Sequence, residues 1–261
     1  MKNILITGGT GLIGKQLVSI LKKKKDINLY LIIRKKKFPK KNIKKIYYVK
    51  NLFTISQNNW KKYLINIDTV IHLAWYAKPP HYLNSLKNLE CLNGTIKLAK
   101  ACTQSKVKKF ISAGTCFEYF HNNRKLHINS KVEPNSIYGT AKLSTYFFLS
   151  NIFASTKINF SWLRFFYILS KNDYKQKLVP SIINKLNQNK KVFLKTPYDK
   201  IDYLTVNKLS NVIVRIIFKK KLKKIYNICS GVGVTIKNIA LSLASQNQKK
   251  LLIFSPKKKK I

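Results

Sequence analysis

A glycine-rich turn near the beginning of the chain constrains its fold more than any other feature. The apolar segment 2–7 has the character of a buried strand. Gly8, Gly11 and Gly14 follow it, and the last two lie at the start of a helical pattern over 11–24. Glycine allows a tight turn and a close backbone approach, while a helix N-terminus presents free N–H groups and a positive dipole end. Strand, glycine turn and helix in this order indicate a site for the pyrophosphate of a dinucleotide. The residues expected to line that site are Gly8, Thr10, Gly11, Leu12, Ile13 and Gly14.

Apolar runs and helical patterns alternate along the rest of the chain. Predicted strands lie at 2–7, 29–34, 46–50, 68–74, 108–113, 158–168 and 225–228, and predicted helices at 11–24, 83–105, 135–155, 179–189 and 206–218, with one more beginning at Thr235. Such alternation requires right-handed crossovers and a parallel sheet covered on both faces, which explains why the strands are apolar throughout. The sequence therefore predicts an α/β fold with a Rossmann-type, doubly wound parallel sheet. We expect residues 1–168 to form the dinucleotide-binding domain with the catalytic residues. Residues 169–261 should form a small, apparently shortened substrate-binding part, from which 203–230 returns to the Rossmann core.

The end of the second predicted strand bears on the choice of cofactor. An acidic residue there usually accepts the ribose 2′-hydroxyl of NAD, but this strand ends in Arg34, Lys35 and Lys36. No carboxylate repels a 2′-phosphate at this point, and a guanidinium can bind one. Lysine crowds most loops of the chain, so Arg34, one of few arginines, is the more informative residue. The sequence favours NADP(H) over NAD(H), with Arg34 as a cofactor contact.

Tyr138 and Lys142 form a Y-x-x-x-K pair within the predicted helix 135–155. Residues four apart lie on one face of a helix. A free tyrosine has a pKa of about 10 and is a poor base at neutral pH, whereas a nearby ammonium and a cationic nicotinamide ring favour the phenolate. The pair therefore predicts proton exchange between Tyr138 and a sugar hydroxyl during hydride transfer, with both residues also contacting the cofactor.

Further segments accompany these motifs in a characteristic order. They are Asp68-Thr-Val-Ile-His-Leu-Ala74, Gly94-Thr95, Lys109-Phe-Ile-Ser-Ala-Gly-Thr115, Arg164-Phe-Phe-Tyr167 and Tyr226-Asn-Ile-Cys-Ser-Gly231. Together with the glycine turn they resemble the extended short-chain dehydrogenases/reductases of the NAD-dependent epimerase/dehydratase family, from residue 2 to about residue 245. The resemblance implies that Thr115 is the catalytic Ser/Thr of the family, which hydrogen-bonds the reacting sugar oxygen and orients it toward Tyr138.

The resemblance also implies further contacts. The implied cofactor contacts are Asn51, Leu52, Leu73 and Ala74, and the implied substrate contacts are Trp75, Thr115, Tyr167 and Lys200.

Several positions depart from the family pattern. The family's dehydratases carry Asp-Glu after the threonine, where this chain has Cys116 and Phe117, so we do not expect a 4,6-dehydratase. Tyr167 replaces an asparagine that contacts the sugar nucleotide, and Ile201 replaces an arginine for which Lys200 is the expected substitute. Asn51 replaces an aspartate near the adenine. The sequence also ends several tens of residues earlier than is usual in the family.

Composition narrows the class of protein. The formal net charge is +44 at pH 7. Because this charge comes from lysines along the whole chain, and nucleic-acid readers rely on arginine, we expect only salt-sensitive attraction to polyanions and no specific nucleic-acid partner.

The cysteines and histidines lack the spacing of a disulfide framework or a metal site, so no metal is expected. No segment approaches the roughly 20 apolar residues of a membrane span, and we expect a cytoplasmic protein.

The resemblance implies NAD(P)-dependent oxidoreduction at C4 of a nucleotide-activated sugar. The basic end of the second strand favours a nucleotide-4-keto-6-deoxysugar 4-reductase that uses external cofactor. A nucleotide-sugar 4-epimerase, which keeps its cofactor and returns the hydride to the other face of the sugar, fits the same residues. A catalytically inactive cofactor-binding protein is the third hypothesis, suggested by the short C-terminus and Ile201. A homodimer is implied by the family.

Overall fold

The structure, a computed structural model, describes residues 1–34, 38–120, 125–170 and 173–256. Lys35 and Lys36, which were expected at the end of the second strand, lie outside the described residues. The strands are β1 (Lys2–Thr7), β2 (Ile27–Ile33), β3 (Lys45–Tyr48), β4 (Thr69–His72), β5 (Lys109–Thr115), β6 (Asn159–Phe165), β7 (Tyr167–Leu169), β8 (Val192–Leu194), β9 (Lys200–Ile201), β10 (Tyr203–Thr205), β11 (Ile225–Ile228), β12 (Val234–Thr235) and β13 (Leu252–Phe254). The α-helices are α1 (Leu12–Leu21), α2 (Gln57–Tyr63), α3 (Lys87–Thr103), α4 (Ile137–Ala154), α5 (Leu178–Asn187), α6 (Val206–Phe218) and α7 (Ile236–Leu243).

A seven-stranded sheet in the order β11-β6-β5-β4-β1-β2-β3 forms the centre of the molecule. Each neighbouring pair in it is parallel. The order reverses beside β1, and in parallel sheets of this type ligands bind at the carboxyl ends of the strands near such a switch point. This confirms the predicted doubly wound α/β fold and places the ends of β1, β4 and β5 at one edge.

Side chains of successive strand residues pack alternately into two apolar cores, one on each face of the sheet. In β1, Ile4 and Ile6 belong to one apolar cluster with α1 and α6, whereas Leu5 belongs to the cluster on the other face, with α2, α3 and α4. Because successive side chains of a strand point to opposite faces, a strand covered on both sides must be apolar at every position. Both layers of helices are thus specified by the strand sequences.

Two predicted elements differ from the structure, and the sequence did not predict helix α2. The predicted helix 83–105 is a 3-10 turn, His81–Asn84, followed by α3, because the Asn88 amide donates to the carbonyls of Tyr82 and Ser85 at 2.7 and 2.8 Å. The predicted strand 158–168 is divided into β6 and β7, which belong to different sheets. Helix α2 was missed because only Trp60 of its seven residues is buried, which leaves little apolar periodicity.

A third apolar cluster is built from residues 182–252. Helices α5 and α7 and strands β8 and β13 contribute to it, and Ala240 is fully buried there. The proposed division at residue 168 remains a prediction, and β11 and α6 belong to the central sheet and its covering layer. Across the part of the chain that the structure describes, no helix has both the length and the apolar character needed to span a bilayer.

His72 links three elements beneath the edge of the sheet. Its Nδ1 lies 2.8 Å from Thr7 Oγ1 and its Nε2 2.9 Å from Thr95 Oγ1. Since Thr95 donates its one hydroxyl hydrogen to the Cys91 carbonyl at 2.7 Å, it accepts from His72 Nε2, and Thr7 donates to Nδ1. Burial, and secondly the charge of Lys142, lowers the pKa of His72 to about 3. This histidine is a neutral structural residue.

His72 should make folding sensitive to mild acid. The unfolded chain protonates this imidazole near its ordinary pKa, whereas the folded chain resists protonation down to about 3, so stability is lost as pH falls below that ordinary value. From about pH 7.5 to about pH 5.5, this group alone should remove about 1.4 kcal/mol from the free energy of unfolding. In urea titrations, His72→Gln should shrink the wild-type pH difference by that amount. An unchanged difference would show that the imidazole titrates normally.

Candidate active site

The glycine turn joins the ends of β1 and β4 to the start of α1. Gly8 has a φ of +75°, and a Cβ there would lie 2.6 Å from the Ala74 nitrogen. A Cβ on Gly14 would lie 2.1 Å from the Gly8 carbonyl oxygen. No side chain caps the N-terminus of α1 and no acidic residue lies in its first turn, so the N–H groups there are available to an anion. The turn, with Thr10, Leu12 and Ile13 in it, fits the pyrophosphate of a dinucleotide.

The other expected cofactor residues lie along the same edge. Leu73 and Ala74 directly follow β4, where the Leu73 nitrogen donates to the Thr7 carbonyl at 3.1 Å. Arg34 directly follows β2 and is exposed. Asn51 follows β3, but its side-chain oxygen accepts from the Phe53 nitrogen at 3.0 Å and so caps a turn that begins at the buried Leu52. These residues are placed along the strand ends as a dinucleotide site requires.

The structure brings Thr115, Tyr138 and Lys142 together at the end of β5. Thr115 is the last residue of β5, and Tyr138 and Lys142 lie one turn apart in α4. Lys142 Nζ donates to the Ala113 carbonyl at 2.7 Å, which ties α4 to β5. The Thr115 side chain lies close enough to Tyr138 to lower the pKa of its phenol. A hydroxyl, a phenol and an amine therefore converge beside the glycine turn.

Lys142 is a buried cation with an aromatic neighbour. Its Nζ lies 3.7 Å from the centre of the Trp75 ring, a cation–π contact that compensates part of its lost hydration. Burial lowers the pKa of Lys142 to about 7, while Cys91 and Glu118 act in the opposite direction. Its charge is thus poised near neutral pH, which is typical of a functional lysine.

Aromatic rings surround Tyr138. The ring of Tyr82 meets it edge-on at 5.0 Å between centroids, and Phe117 lies at 6.2 Å. Burial raises the pKa of Tyr138 well above its ordinary value, although the Thr115 side chain lowers it in part. The phenol is therefore held in its protonated form, which can donate a proton.

The expected substrate residues divide into two groups. Trp75 borders the catalytic residues and is held by a 2.7 Å hydrogen bond from its Nε1 to Asn88 Oδ1. Tyr167 lies 6.0 Å from the Phe117 ring, so it continues the aromatic wall that begins at Tyr138. Lys200, by contrast, is an exposed residue of β9, opposite Thr235 of a separate two-stranded sheet. The geometry joins Trp75 and Tyr167 to the site and leaves Lys200 apart.

Sequence reasoning missed the role of Glu118. The sequence alone assigns it no role, yet it is fully buried and accepts the backbone N–H of Thr115 at 2.8 Å. The chain has only eight acidic residues, and this one lies three residues after the end of an apolar strand. That position was the available signal. Among the described residues, no group of three or more His, Cys, Asp or Glu side chains is arranged to hold a metal ion.

Comparison with known proteins agrees with this geometry. The model of the NAD dependent epimerase/dehydratase family matches residues 4–229. The chain is 27% identical to the dTDP-6-deoxy-L-talose 4-dehydrogenase (NAD(+)) of Aggregatibacter actinomycetemcomitans, with 88% of this chain and 84% of that protein covered. It is also 27% identical to a dTDP-D-glucose 4,6-dehydratase of Dictyostelium discoideum, over 92% of this chain and 60% of that protein.

Solved structures share the fold. A UDP-N-acetylglucosamine 4-epimerase from Methanobrevibacter ruminantium M1, in complex with UDP-N-acetylmuramic acid, superposes with a TM-score of 0.81 at 20% identity. The match covers 97% of this chain and 84% of that one. The likeness extends over almost the whole chain and concerns its architecture.

Removing the buried amine should stabilise the folded chain. The pKa of Lys142 is lowered to about 7, so at about pH 8 folding must strip its proton. We expect Lys142→Met to raise the free energy of unfolding at about pH 8 by about 1–3 kcal/mol, because the lost bond to Ala113 offsets part of the gain. Lys97→Met, at an exposed position of α3, is the matched control and should change stability by less than about 0.5 kcal/mol. Destabilisation by Lys142→Met in urea titrations would contradict the burial penalty.

Proposed function

The chain belongs to the NAD dependent epimerase/dehydratase family, and on that basis we propose that it is an enzyme that transfers hydride at C4 of a nucleotide-activated sugar. The proposed reaction is reduction of a nucleotide-4-keto-6-deoxysugar. The observation that carries this proposal is the convergence of Thr115, Tyr138 and Lys142 beside the glycine turn.

Two observations favour a 4-keto-6-deoxysugar. One relative is named for 4-dehydrogenation of a dTDP-6-deoxysugar, which is the reverse of such a reduction. In addition, aromatic rings pack beside Tyr138: its ring contacts those of Tyr82 and Phe117, and Phe117 contacts Tyr167. The faces of these rings suit a C6 methyl group better than a hydroxyl or a carboxylate, since a polar group against a ring face would lose its hydration. Cys116 and Phe117 also offer no acid–base pair for dehydration.

The residues of the chain divide the work of the reduction. Tyr138, held protonated, donates the proton from its Oη to the keto oxygen at C4. Thr115 donates a hydrogen bond to the same oxygen and so fixes its direction. The N–H groups at the start of α1 would hold the pyrophosphate of the cofactor, and Lys142 would contact its nicotinamide half. When bound, the cofactor supplies the hydride.

A 4-epimerase is the second candidate. The fold likeness to a UDP-N-acetylglucosamine 4-epimerase and the same three side chains support it. An epimerase must first oxidise the sugar hydroxyl, for which Tyr138 has to act as a base. A third candidate, a cofactor-binding protein without activity, has only the departure at Ile201 in its favour.

The cofactor is proposed to be exchangeable. Arg34 at the end of β2 supports NADP(H), but the preference has no support from the relative, whose name specifies NAD(+). We also propose a cytoplasmic homodimer. Exposed Phe147 and Phe148 on α4, with 50% and 52% of their surface accessible, offer an apolar face for the second subunit.

Cofactor preference can be measured by fluorescence titration of the purified protein with NADPH and NADH. If Arg34 binds a 2′-phosphate, Arg34→Ala should weaken NADPH binding by about tenfold, because a charge-assisted contact is lost, and leave NADH binding unchanged. Equal losses for both cofactors would remove the argument for NADP(H). NAD carried tightly through purification would support the 4-epimerase instead.

Turnover tests the proposed reaction directly. Purified protein should consume NADPH or NADH when nucleotide-4-keto-6-deoxysugars are added. Tyr138→Phe should lower kcat by roughly 10²–10⁴-fold, since it removes the proton donor and keeps the ring. Tyr48→Phe, on the exposed end of β3, removes a hydroxyl far from the trio and should keep full activity. If the wild-type protein binds cofactor but converts none of these sugars, the reductase proposal is wrong.

A further inference from the structure

Glu118 is a buried carboxylate whose hydrogen bonds are all made within the protein interior. Its Oε1 accepts from the Thr115 nitrogen at 2.8 Å and from Trp162 Nε1 at 2.9 Å. Its Oε2 accepts from Arg164 Nε at 2.6 Å. Within the same short turn, the Thr115 hydroxyl oxygen accepts a hydrogen bond from the Phe117 nitrogen at 3.3 Å. The carboxylate therefore closes the turn that carries Thr115.

The surrounding residues are shaped around this carboxylate. A Cβ on Gly114 would lie 2.7 Å from Glu118 Oε1 and 2.2 Å from Trp162 Nε1. Only glycine fits before Thr115 while the indole and the carboxylate occupy this space. Gly114 therefore leaves the space that the Glu118 carboxylate and the Trp162 indole occupy.

Arg164 extends the arrangement across the sheet. It lies opposite Gly114 in the β5–β6 register, is 2% exposed, and stacks its guanidinium 4.4 Å from the centre of the Tyr119 ring. The Tyr119 hydroxyl in turn donates to Asn227 Oδ1 of β11 at 2.8 Å. Strands β5, β6 and β11 are thereby joined directly behind Thr115.

We propose that Glu118 is a positioning residue that holds the Thr115 hydroxyl toward Tyr138. It does so by accepting the Thr115 backbone N–H and closing the turn over residues 115–118, with Arg164 and Trp162 as its anchors. This inference rests on the proposed reductase reaction, in which Thr115 directs the keto oxygen. Glu118 itself does not touch the substrate.

Burying the Glu118 carboxylate and the Arg164 guanidinium costs free energy of desolvation. A role in positioning Thr115 accounts for their presence. A paired carboxylate and guanidinium gain little stability over apolar residues of similar size. Burial raises the pKa of Glu118, whereas Arg164 and the three N–H donors act to lower it. An apolar residue at 118 would remove that cost but would leave the Thr115 N–H without its acceptor. Small displacements of a catalytic group have large kinetic consequences, which is the gain that offsets the cost.

A double-mutant cycle in kcat separates positioning from general stability. Glu118→Ala with Arg164→Met removes both charges together, so that neither is left buried alone. In the wild-type background this pair should lower kcat at least about tenfold, with KM and cofactor affinity changed less than about threefold. In a Thr115→Val background the same pair should cost less than about threefold, because the hydroxyl it positions is already gone. Equal losses in both backgrounds would overturn the proposal.

Conservative variants complete the cycle. Glu118→Gln keeps an acceptor oxygen and should retain several-fold more activity than the double variant Glu118→Ala with Arg164→Met. If that double variant does not fold, the loss of kcat caused by Glu118→Gln is compared in the wild-type and Thr115→Val backgrounds instead. Glu133→Gln changes an exposed glutamate that pairs with Lys131, and it should leave kcat unchanged. A loss with Glu118→Gln that is equal in both Thr115 backgrounds would again contradict positioning.

Labelling of Cys116 tests the turn without any enzymatic activity. Cys116 lies between Thr115 and Phe117, is 2% exposed, and has its pKa raised to about 12 by burial and the charge of Glu118. An aromatic disulfide reagent, followed by mass spectrometry, should leave Cys116 unlabelled in the wild type and label it at least about tenfold faster in folded Glu118 variants. Unchanged labelling would overturn the proposal. If the wild type turned over no sugar, the proposed function would fail, and labelling alone would still decide whether Glu118 holds the turn.

Discussion

Backbone packing between the first turn and the end of β4 is the contact on which the site depends. No side chain fits at Gly8 or Gly14, where a Cβ would lie within 2.6 Å or 2.1 Å of neighbouring backbone atoms. This close approach sets β1, β4 and α1 against one another and leaves the start of α1 uncapped. Because β4 pairs with β5, the same contact determines where Thr115 ends its strand. The proposed cofactor site and the proposed proton-transfer site therefore share one edge of the sheet.

The edge of the sheet that carries Thr115 contains buried ionisable groups that a purely structural core would avoid. Lys142, Glu118 and Arg164 are each at most 3% exposed. Each burial is compensated locally: Lys142 by the Ala113 carbonyl and the Trp75 ring, and the ion pair by Trp162 and the Thr115 backbone. Compensation of this kind rarely repays the full cost of desolvation, so such groups concentrate where function requires them. Stability is given up at this edge and recovered in the apolar clusters on the two faces of the sheet.

Most of the architecture could be predicted from the sequence because its signals are local. The glycine turn, the continuous apolar strands and the Tyr138–Lys142 spacing each lie within a few residues, and the structure confirms the resulting sheet. The misplaced elements have non-local causes, such as the Asn88 amide that ends the turn before α3. Glu118 was missed for the same reason. Its anchoring partners Trp162 and Arg164 lie more than forty residues away on another strand, so the local sequence does not reveal the ion pair.

Deuterium transfer tests the central claim most directly. The protein would be given a nucleotide-4-keto-6-deoxysugar and reduced cofactor labelled with deuterium on the transferred position, and the product would be analysed by NMR. A working reductase site predicts one deuterium at C4 of the sugar for each cofactor oxidised. A sugar epimerised without deuterium, or cofactor bound with no sugar product at all, would contradict the account.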